Sequence, residues 1–340
     1  MKAAVLYRPR DLKIEEVERP SIGKDEVLIQ VKKAGICGTD VGVFKGEHHP
    51  VELPRILGHE YSGVIAQLGS NVQGLSEGDR VVSEASWGCG SCSYCLAGRP
   101  DKCQKRRALG RTVDGAFAEF VRVPVSIVHK LPEGVSHEEG QLAVNLACTI
   151  RAVRQAQIVF GDHVAVIGSG QAALLLLQLI KLSGAGRVTM VGGERQRRLE
   201  LAAELGADEV IRARSDGGQQ RMEMLAQDGA VDIVIEASGS PNQLERAMQL
   251  VKQGGKVVIF SIFSEKVKSL DANLLYHKEL NLCGSRGGAG CYGVALDLLQ
   301  KKRVRVKPMI SHDFPLENVG EGMRAMLERD PSVVRITVTP

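Results

Sequence analysis

Apolar positions in roughly the first 150 residues come in short runs closed by glycine or charge: Ala3-Ala4-Val5-Leu6-Tyr7, Glu26-Val27-Leu28-Ile29-Gln30-Val31, Gly78-Asp79-Arg80-Val81-Val82. Such runs read as β-strands joined by tight turns. From about Asp162 the texture becomes apolar strand, glycine turn, long helix, repeated. The pattern predicts strands over His163 to Ile167, Val188 to Val191, Val231 to Ala237 and Lys256 to Ile262. The helices fall over Gln171 to Ser183, Arg195 to Leu205 and Asn242 to Gln253. Strands alternating with helices argue for an α/β, doubly wound parallel sheet covered on both faces. A helix over Val294 to Lys301 and a strand over Val333 to Val338 have no place in that alternation, so they are expected to return to the first, mostly-β domain. The division is then residues 1–150 with 290–340, and residues 151–289.

Length and composition narrow the function. A chain of 340 residues with 44% hydrophobic content suits two ordinary domains. Its net charge of +4 comes from 44 basic and 40 acidic residues spread along the chain, which disfavours a nucleic-acid track or an anionic membrane surface. The longest apolar run, Ala172 to Leu177, is too short to span a bilayer, and Met1-Lys2 leads straight into a strand-like segment. The expectation is a cytoplasmic protein with a small-molecule partner.

Cysteine and glycine spacing supply candidate chemistry. Cys89, Cys92, Cys95 and Cys103, in a lobe over about 86–105, give C-x2-C-x2-C-x7-C. Four thiolates so close in sequence can close a tetrahedral shell around a structural zinc, and an iron–sulfur cluster uses the same number. Cys37, followed downstream by His59-Glu60, offers thiolate, imidazole and carboxylate, the side chains of a catalytic zinc with an open position. Alone, that pair also fits a buried cysteine and an unrelated histidine. Val164 to Ile167 leads into Gly168-Ser169-Gly170-Gln171-Ala172-Ala173, a G-x-G-x-x-A turn opening a helix, which places a pyrophosphate on the helix N-terminus. The second strand of that domain ends in Gly192-Gly193, then Glu194 and Arg195, with no carboxylate at the usual ribose position. Nearby guanidinium groups favour NADP over NAD, while Glu194 leaves NAD open.

Taken together, Gly35-Ile36-Cys37-Gly38-Thr39-Asp40, Gly58-His59-Glu60-Tyr61-Ser62-Gly63, the four-cysteine lobe, Asp114-Gly115-Ala116-Phe117-Ala118-Glu119 and Gly168-Ser169-Gly170 resemble the zinc-dependent medium-chain dehydrogenases/reductases. The resemblance covers the whole chain and is nearest the sorbitol, galactitol and threonine dehydrogenase branch. It implies a GroES-like catalytic domain, a Rossmann NAD(P) domain, an active site in the cleft between them, and a homo-oligomer, more often a tetramer than a dimer. It implies two Zn²⁺ per chain: a catalytic one on Cys37 and His59 with Glu60 as ligand or exchanging carboxylate, and a structural one on the four cysteines. Thr39 would pass the proton. Gly168, Gly170, Gln171, Ala172, Gly192, Glu194 and Arg195 would line the cofactor, and Arg335 would reach its pyrophosphate.

The chain departs from that family at two places. Val144 stands where relatives carry a further metal ligand, leaving water, Glu60, Asn145 or Cys148 to complete the shell. Gly42 stands where relatives often carry a relay histidine, with His48 and His49 nearby. The substrate expected is a polyhydroxylated secondary alcohol: a polyol, sugar or cyclitol, amino-cyclitols included. The alternatives are an amino-alcohol or simple secondary alcohol, and a nucleotide-binding protein without catalysis.

Overall fold

The computed structural model describes residues 1–47 and 51–340; His48 and His49 lie outside the described residues. The chain divides into two units, Met1–Ala147 with Gly288–Pro340, and Cys148–Gly287.

The first unit is organised around strand Glu26–Gly35, in which Val27, Leu28 and Ile29 are all fully covered. It pairs antiparallel with Glu60–Leu68, Phe120–Pro124 and Arg335–Thr339, in a sheet that continues through Arg80–Ser83 to Val128–Lys130 and through Arg335–Thr339 to Ile310–Pro315. Asp11–Glu16, Lys2–Arg8 and Arg55–Ile56 form a second, three-stranded sheet. Leu6, Val27, Ile29, Tyr61, Phe117 and Ile336 fill the core between them. Register decides what meets at the end of the long strand. Gly35 lies opposite Glu60 on one side and Thr337 on the other, so Arg335 converges on Cys37 and Glu60 although it is 275 residues from Glu60 in sequence. Gly35 has to be glycine: a Cβ there would lie 1.6 Å from Arg335 Nη2 and 2.1 Å from Gln141 Oε1.

The second unit is a six-stranded, all-parallel sheet in the order Glu209–Arg212, Arg187–Gly192, His163–Ile167, Val231–Glu236, Val251–Ile259, Asn281–Gly284. Every residue of His163–Ile167 is buried, as a central strand covered on both faces must be. Two boundaries differ from the hydrophobic pattern. Helix Pro241–Leu250 stops short and strand Val251–Ile259 begins at once, because Gly254 takes φ +68° and Gly255 packs where a Cβ would meet Val251. Glu209–Arg212 and helix Asp216–Gln227 have too few apolar residues to announce themselves; the helix is started by Ser215, whose Oγ accepts from Gly218 N at 3.1 Å. Among the described residues no helix is long and apolar enough to cross a membrane.

Candidate metal centres and cofactor turn

Cys37 closes the long strand and is the N-cap of helix Gly38–Lys45. The residue that organises its surroundings is Asp40, three positions on and 2% exposed. Its Oδ2 accepts the Cys37 backbone N–H at 2.9 Å, and its Oδ1 accepts Gly58 N–H at 3.1 Å and faces His59 Nδ1 at 3.1 Å. One carboxylate thus ties the two ligand-bearing segments together. It also occupies Nδ1 of His59, which leaves Nε2 for a metal. The Cys37 Sγ, a His59 ring nitrogen and a Glu60 carboxylate oxygen lie within 4.8 Å of one another, and Thr39 Oγ1 is 3.7 Å from Cys37 Sγ. Burial, then the Glu60 charge, pushes the Cys37 thiol up. Burial pulls His59 down, but the charge and hydrogen bond of Asp40, together with those of Cys37, outweigh it and hold the ring well above its ordinary value. A metal binding here must displace those protons, and the donor set, one soft thiolate with imidazole and carboxylate, is the one zinc prefers.

Beneath these donors lies a closed polar network. Glu60 is 1% exposed; its Oε1 accepts from Asn145 Nδ2 at 2.9 Å, and its Oε2 accepts from Arg335 Nη1. Arg335 Nη2 donates to Gln141 Oε1, and Gln141 Nε2 donates to Thr337 Oγ1 at 2.9 Å. Arg335, expected to reach the cofactor pyrophosphate, has no exposed surface, and its fork turns onto Glu60 and Gln141, where it balances a buried carboxylate. The missing ligand at Val144 is also accounted for in part: Val144 is packed in the core, and neighbouring Asn145 turns its amide nitrogen to Glu60. Gly42 is buried within helix Gly38–Lys45. Removing one member of a buried ion pair leaves the other uncompensated. Arg335→Ala is therefore expected to cost about 3 kcal/mol or more in a urea melt.

The second group is Cys89, Cys92, Cys95 and Cys103, whose sulfurs also lie within 4.8 Å of one another. Cys92 is the N-cap of the short helix Ser93–Leu96, and the turn Pro100–Lys102 delivers Cys103. Cys92 and Cys95 sulfurs are 3.5 Å apart, near the roughly 3.8 Å edge of a tetrahedron with Zn–S bonds of about 2.3 Å. The Cys89 N–H donates to Cys103 Sγ at 3.3 Å, and a Cβ on Gly88 would fall 2.4 Å from Cys95 Sγ. Amides of Ser91 and its neighbours hold the Cys89 thiol down at about 6. Among the described residues these two groups are the clusters of His, Cys, Asp and Glu close enough to hold a metal.

In the second unit the strand order runs third, second, first, fourth, fifth, sixth, and the order reverses between His163–Ile167 and Val231–Glu236. Ligands of such sheets bind outside the carboxyl ends of the strands at that reversal. Gly168 lies there with φ +135°, and a Cβ on it would stand 2.7 Å from Ala237 O. Gly170 is the N-cap of helix Gln171–Leu182, whose first residues are Gln171 and Ala172. Strand Arg187–Gly192 ends beside this turn, where a Cβ on Gly192 would meet Ser169 and Leu199. Glu194 is exposed and Arg195 is the N-cap of helix Gln196–Glu204. Arg198, one of the nearby guanidinium groups, puts Nη1 3.8 Å from where a Cβ of Gly170 would be. Burial, then the charge of Arg195, pulls its guanidinium down to about 9.

Comparison with known proteins agrees with this chemistry. Residues 23–133 match the alcohol dehydrogenase GroES-like domain and residues 173–301 the zinc-binding dehydrogenase domain. A sorbitol dehydrogenase of Halalkalibacterium halodurans is 33% identical over 330 residues, 96% of this chain and 95% of its own. The chain belongs to the zinc-containing medium-chain dehydrogenase/reductase family. It is an NAD(P)-linked, zinc-type alcohol dehydrogenase, with a GroES-like domain and a Rossmann domain, and it stands with the sorbitol- and threonine-like branch. This dehydrogenase is also similar to the D-arabitol-phosphate dehydrogenase of Enterococcus avium, 31% identical over 325 residues, 94% of this chain and 92% of that one. Among solved structures it resembles a zinc-binding dehydrogenase of Sinorhizobium meliloti 1021 described as bound to NADP, with TM-score 0.90 and 31% identity over 100% of this chain and 99% of that chain.

Proposed function

We propose that this dehydrogenase oxidises a secondary hydroxyl of a polyol, sugar or cyclitol to the ketone, using NADP⁺ and two zinc ions per chain. The observation that carries the reading is the convergence of Cys37, His59 and Glu60 within 4.8 Å of one another, with the Thr39 hydroxyl 3.7 Å from Cys37 Sγ. A zinc held by those donors would supply a Lewis acid, and a nicotinamide cofactor whose pyrophosphate the Gly168–Gly170 turn would hold would supply the hydride acceptor. The chain's own residues do the rest. Asp40 fixes the His59 ring and the Cys37 backbone at one geometry, so the donors stand preset. Thr39 receives the proton of the reacting hydroxyl and passes it outward. Arg335 and Asn145 hold Glu60 beside Cys37 and His59, which suits a site whose usual further ligand is replaced by Val144. Cys89, Cys92, Cys95 and Cys103 hold the second zinc and take no part in the reaction.

The polyol class is supported by relatives named as sorbitol, D-arabitol-phosphate and D-arabinitol dehydrogenases. The choice of NADP is supported by the absence of a carboxylate at Gly192 and by Arg198 lying over Gly170 beside Arg195. A 2′-phosphate would relieve the mutual repulsion of those guanidinium groups. Arg198→Ala is expected to weaken NADPH binding tenfold or more and NADH binding far less, as read by titration calorimetry with each nucleotide; equal loss for both contradicts the assignment. The experiment for the whole reading is turnover by zinc-replete protein across polyols, inositols, amino-alcohols and simple secondary alcohols. Preference for vicinal hydroxyls supports it, and preference for an amino-alcohol overturns the substrate class.

A further inference from the structure

Resting on the polyol reading, one surface feature refines the substrate. Residues 99–111 hold six cations, Arg99, Lys102, Lys105, Arg106, Arg107 and Arg111, against one carboxylate, Asp101. The rest of the chain then has 44 less 6, or 38, basic residues against 40 less 1, or 39, acidic ones. The whole positive excess of the protein therefore sits in this one stretch. Part of it has a structural use, since a zinc held by four thiolates carries a net charge of about −2 and Cys103 lies inside the segment. That leaves an excess unanswered. Arg99, Lys105 and Arg107 are exposed, and among the described residues none of the three makes an ion pair.

The stretch also leads to the catalytic donors. Arg107–Ala108 pairs as a short strand with Ser86–Trp87, Arg107 opposite Trp87, which gives the guanidinium a fixed base. The chain then runs through buried Leu109 to Gly110, which takes φ +68° and packs so closely on the segment before His59 that a Cβ there would lie 3.0 Å from Gly58 N. Beyond it, Ala116 N donates to Gly58 O at 2.9 Å and Phe117 N to Leu57 O at 2.9 Å. Arg107 thus begins no more than roughly 10 Å of extended chain from the residue that touches the His59 loop.

We propose that the substrate is a phosphorylated polyol, and that Arg107 with Lys105 takes its phosphate while a carbinol at the other end of the molecule occupies the Cys37, His59 and Glu60 site. Guanidinium and ammonium together suit a dianionic phosphate, which accepts charge-assisted hydrogen bonds that a neutral hydroxyl does not reward.

The test compares sugar alcohols with their terminal phosphate esters on the zinc-replete enzyme with its preferred nicotinamide, and titrates inorganic phosphate by calorimetry. Expected are a kcat/KM for the ester tenfold or more above its parent, expressed mainly in KM, and competitive inhibition by inorganic phosphate that weakens as salt rises. In Arg107→Ala and in Lys105→Ala, both at exposed positions, the ester-to-parent ratio should fall toward one, with unchanged melting temperature, and the calorimetric signal for phosphate should shrink. Parents turned over as well as esters, or a ratio unmoved in both variants, overturns the phosphate assignment and leaves the polyol reading standing. Turnover of neither parents nor esters overturns both.

Discussion

Cys37→Ser is expected to reduce turnover by about a thousandfold or more, a loss of roughly 4 kcal/mol of transition-state stabilisation, while the fold survives. The sulfur is the one soft donor among Cys37, His59 and Glu60, and a serine hydroxyl does not ionise near neutrality to replace it. Structure around it does not depend on that sulfur. The Asp40 carboxylate holds the Cys37 backbone N–H, Gly58 and His59, all of which serine leaves in place. Metal analysis of the variant should give about one zinc per chain, retained in the four-cysteine lobe, and its circular dichroism and melting temperature should stay near those of the parent. A variant that keeps both zinc ions and its rate contradicts the assignment.

Cys92→Ser should show the opposite pattern. Four sulfurs would close the shell of the proposed second zinc, and no residue of the short helix Ser93–Leu96 beside them is buried, with Tyr94 and Leu96 exposed. Losing the metal then means losing the lobe's fold. The expected cost is about 4 kcal/mol, which in a unit of this size lowers Tm by roughly 10 °C. Activity measured well below that temperature should fall much less than in Cys37→Ser. A calorimetric scan of zinc-replete protein checks it, and an unchanged Tm would remove the structural role from the four cysteines.

What the sequence made legible and what it hid follow from physical range. The parallel alternation, the Gly168 turn and the four-cysteine spacing are local, since each needs residues within about one element of one another, and the structure reproduces them. Strand Glu209–Arg212 stayed hidden because two of its four residues are charged. Cys37 and His59 were legible as residue types, but the reason they meet was not. Asp40 reads in sequence as one more acid in the first turn of a helix, and only the fold shows it gripping Gly58 and His59. Arg335 shows the limit more sharply. A basic residue on a late strand reads in sequence as an exposed group, but antiparallel register puts Thr337 opposite Gly35, and the guanidinium ends on Glu60. Gly35 carried the signal, because a glycine inside an otherwise apolar strand marks a close approach, here by Arg335 itself. Which of the arginines after Gly192-Gly193 lies over Gly170 depends on how helix Gln196–Glu204 packs, which no spacing rule reports.

In the proposed function Cys37, His59 and Glu60 hold a zinc without which no hydride leaves the substrate. Its most direct test is the rate of NADP⁺ and NAD⁺ reduction on a turned-over polyol, with zinc counted in the same sample before chelation, after removal of the exchangeable metal, and after zinc is returned. Expected are about two zinc per chain at the start, loss of all turnover when about one remains, and recovery of rate in step with the second. Full turnover with only the four-cysteine zinc present would contradict it.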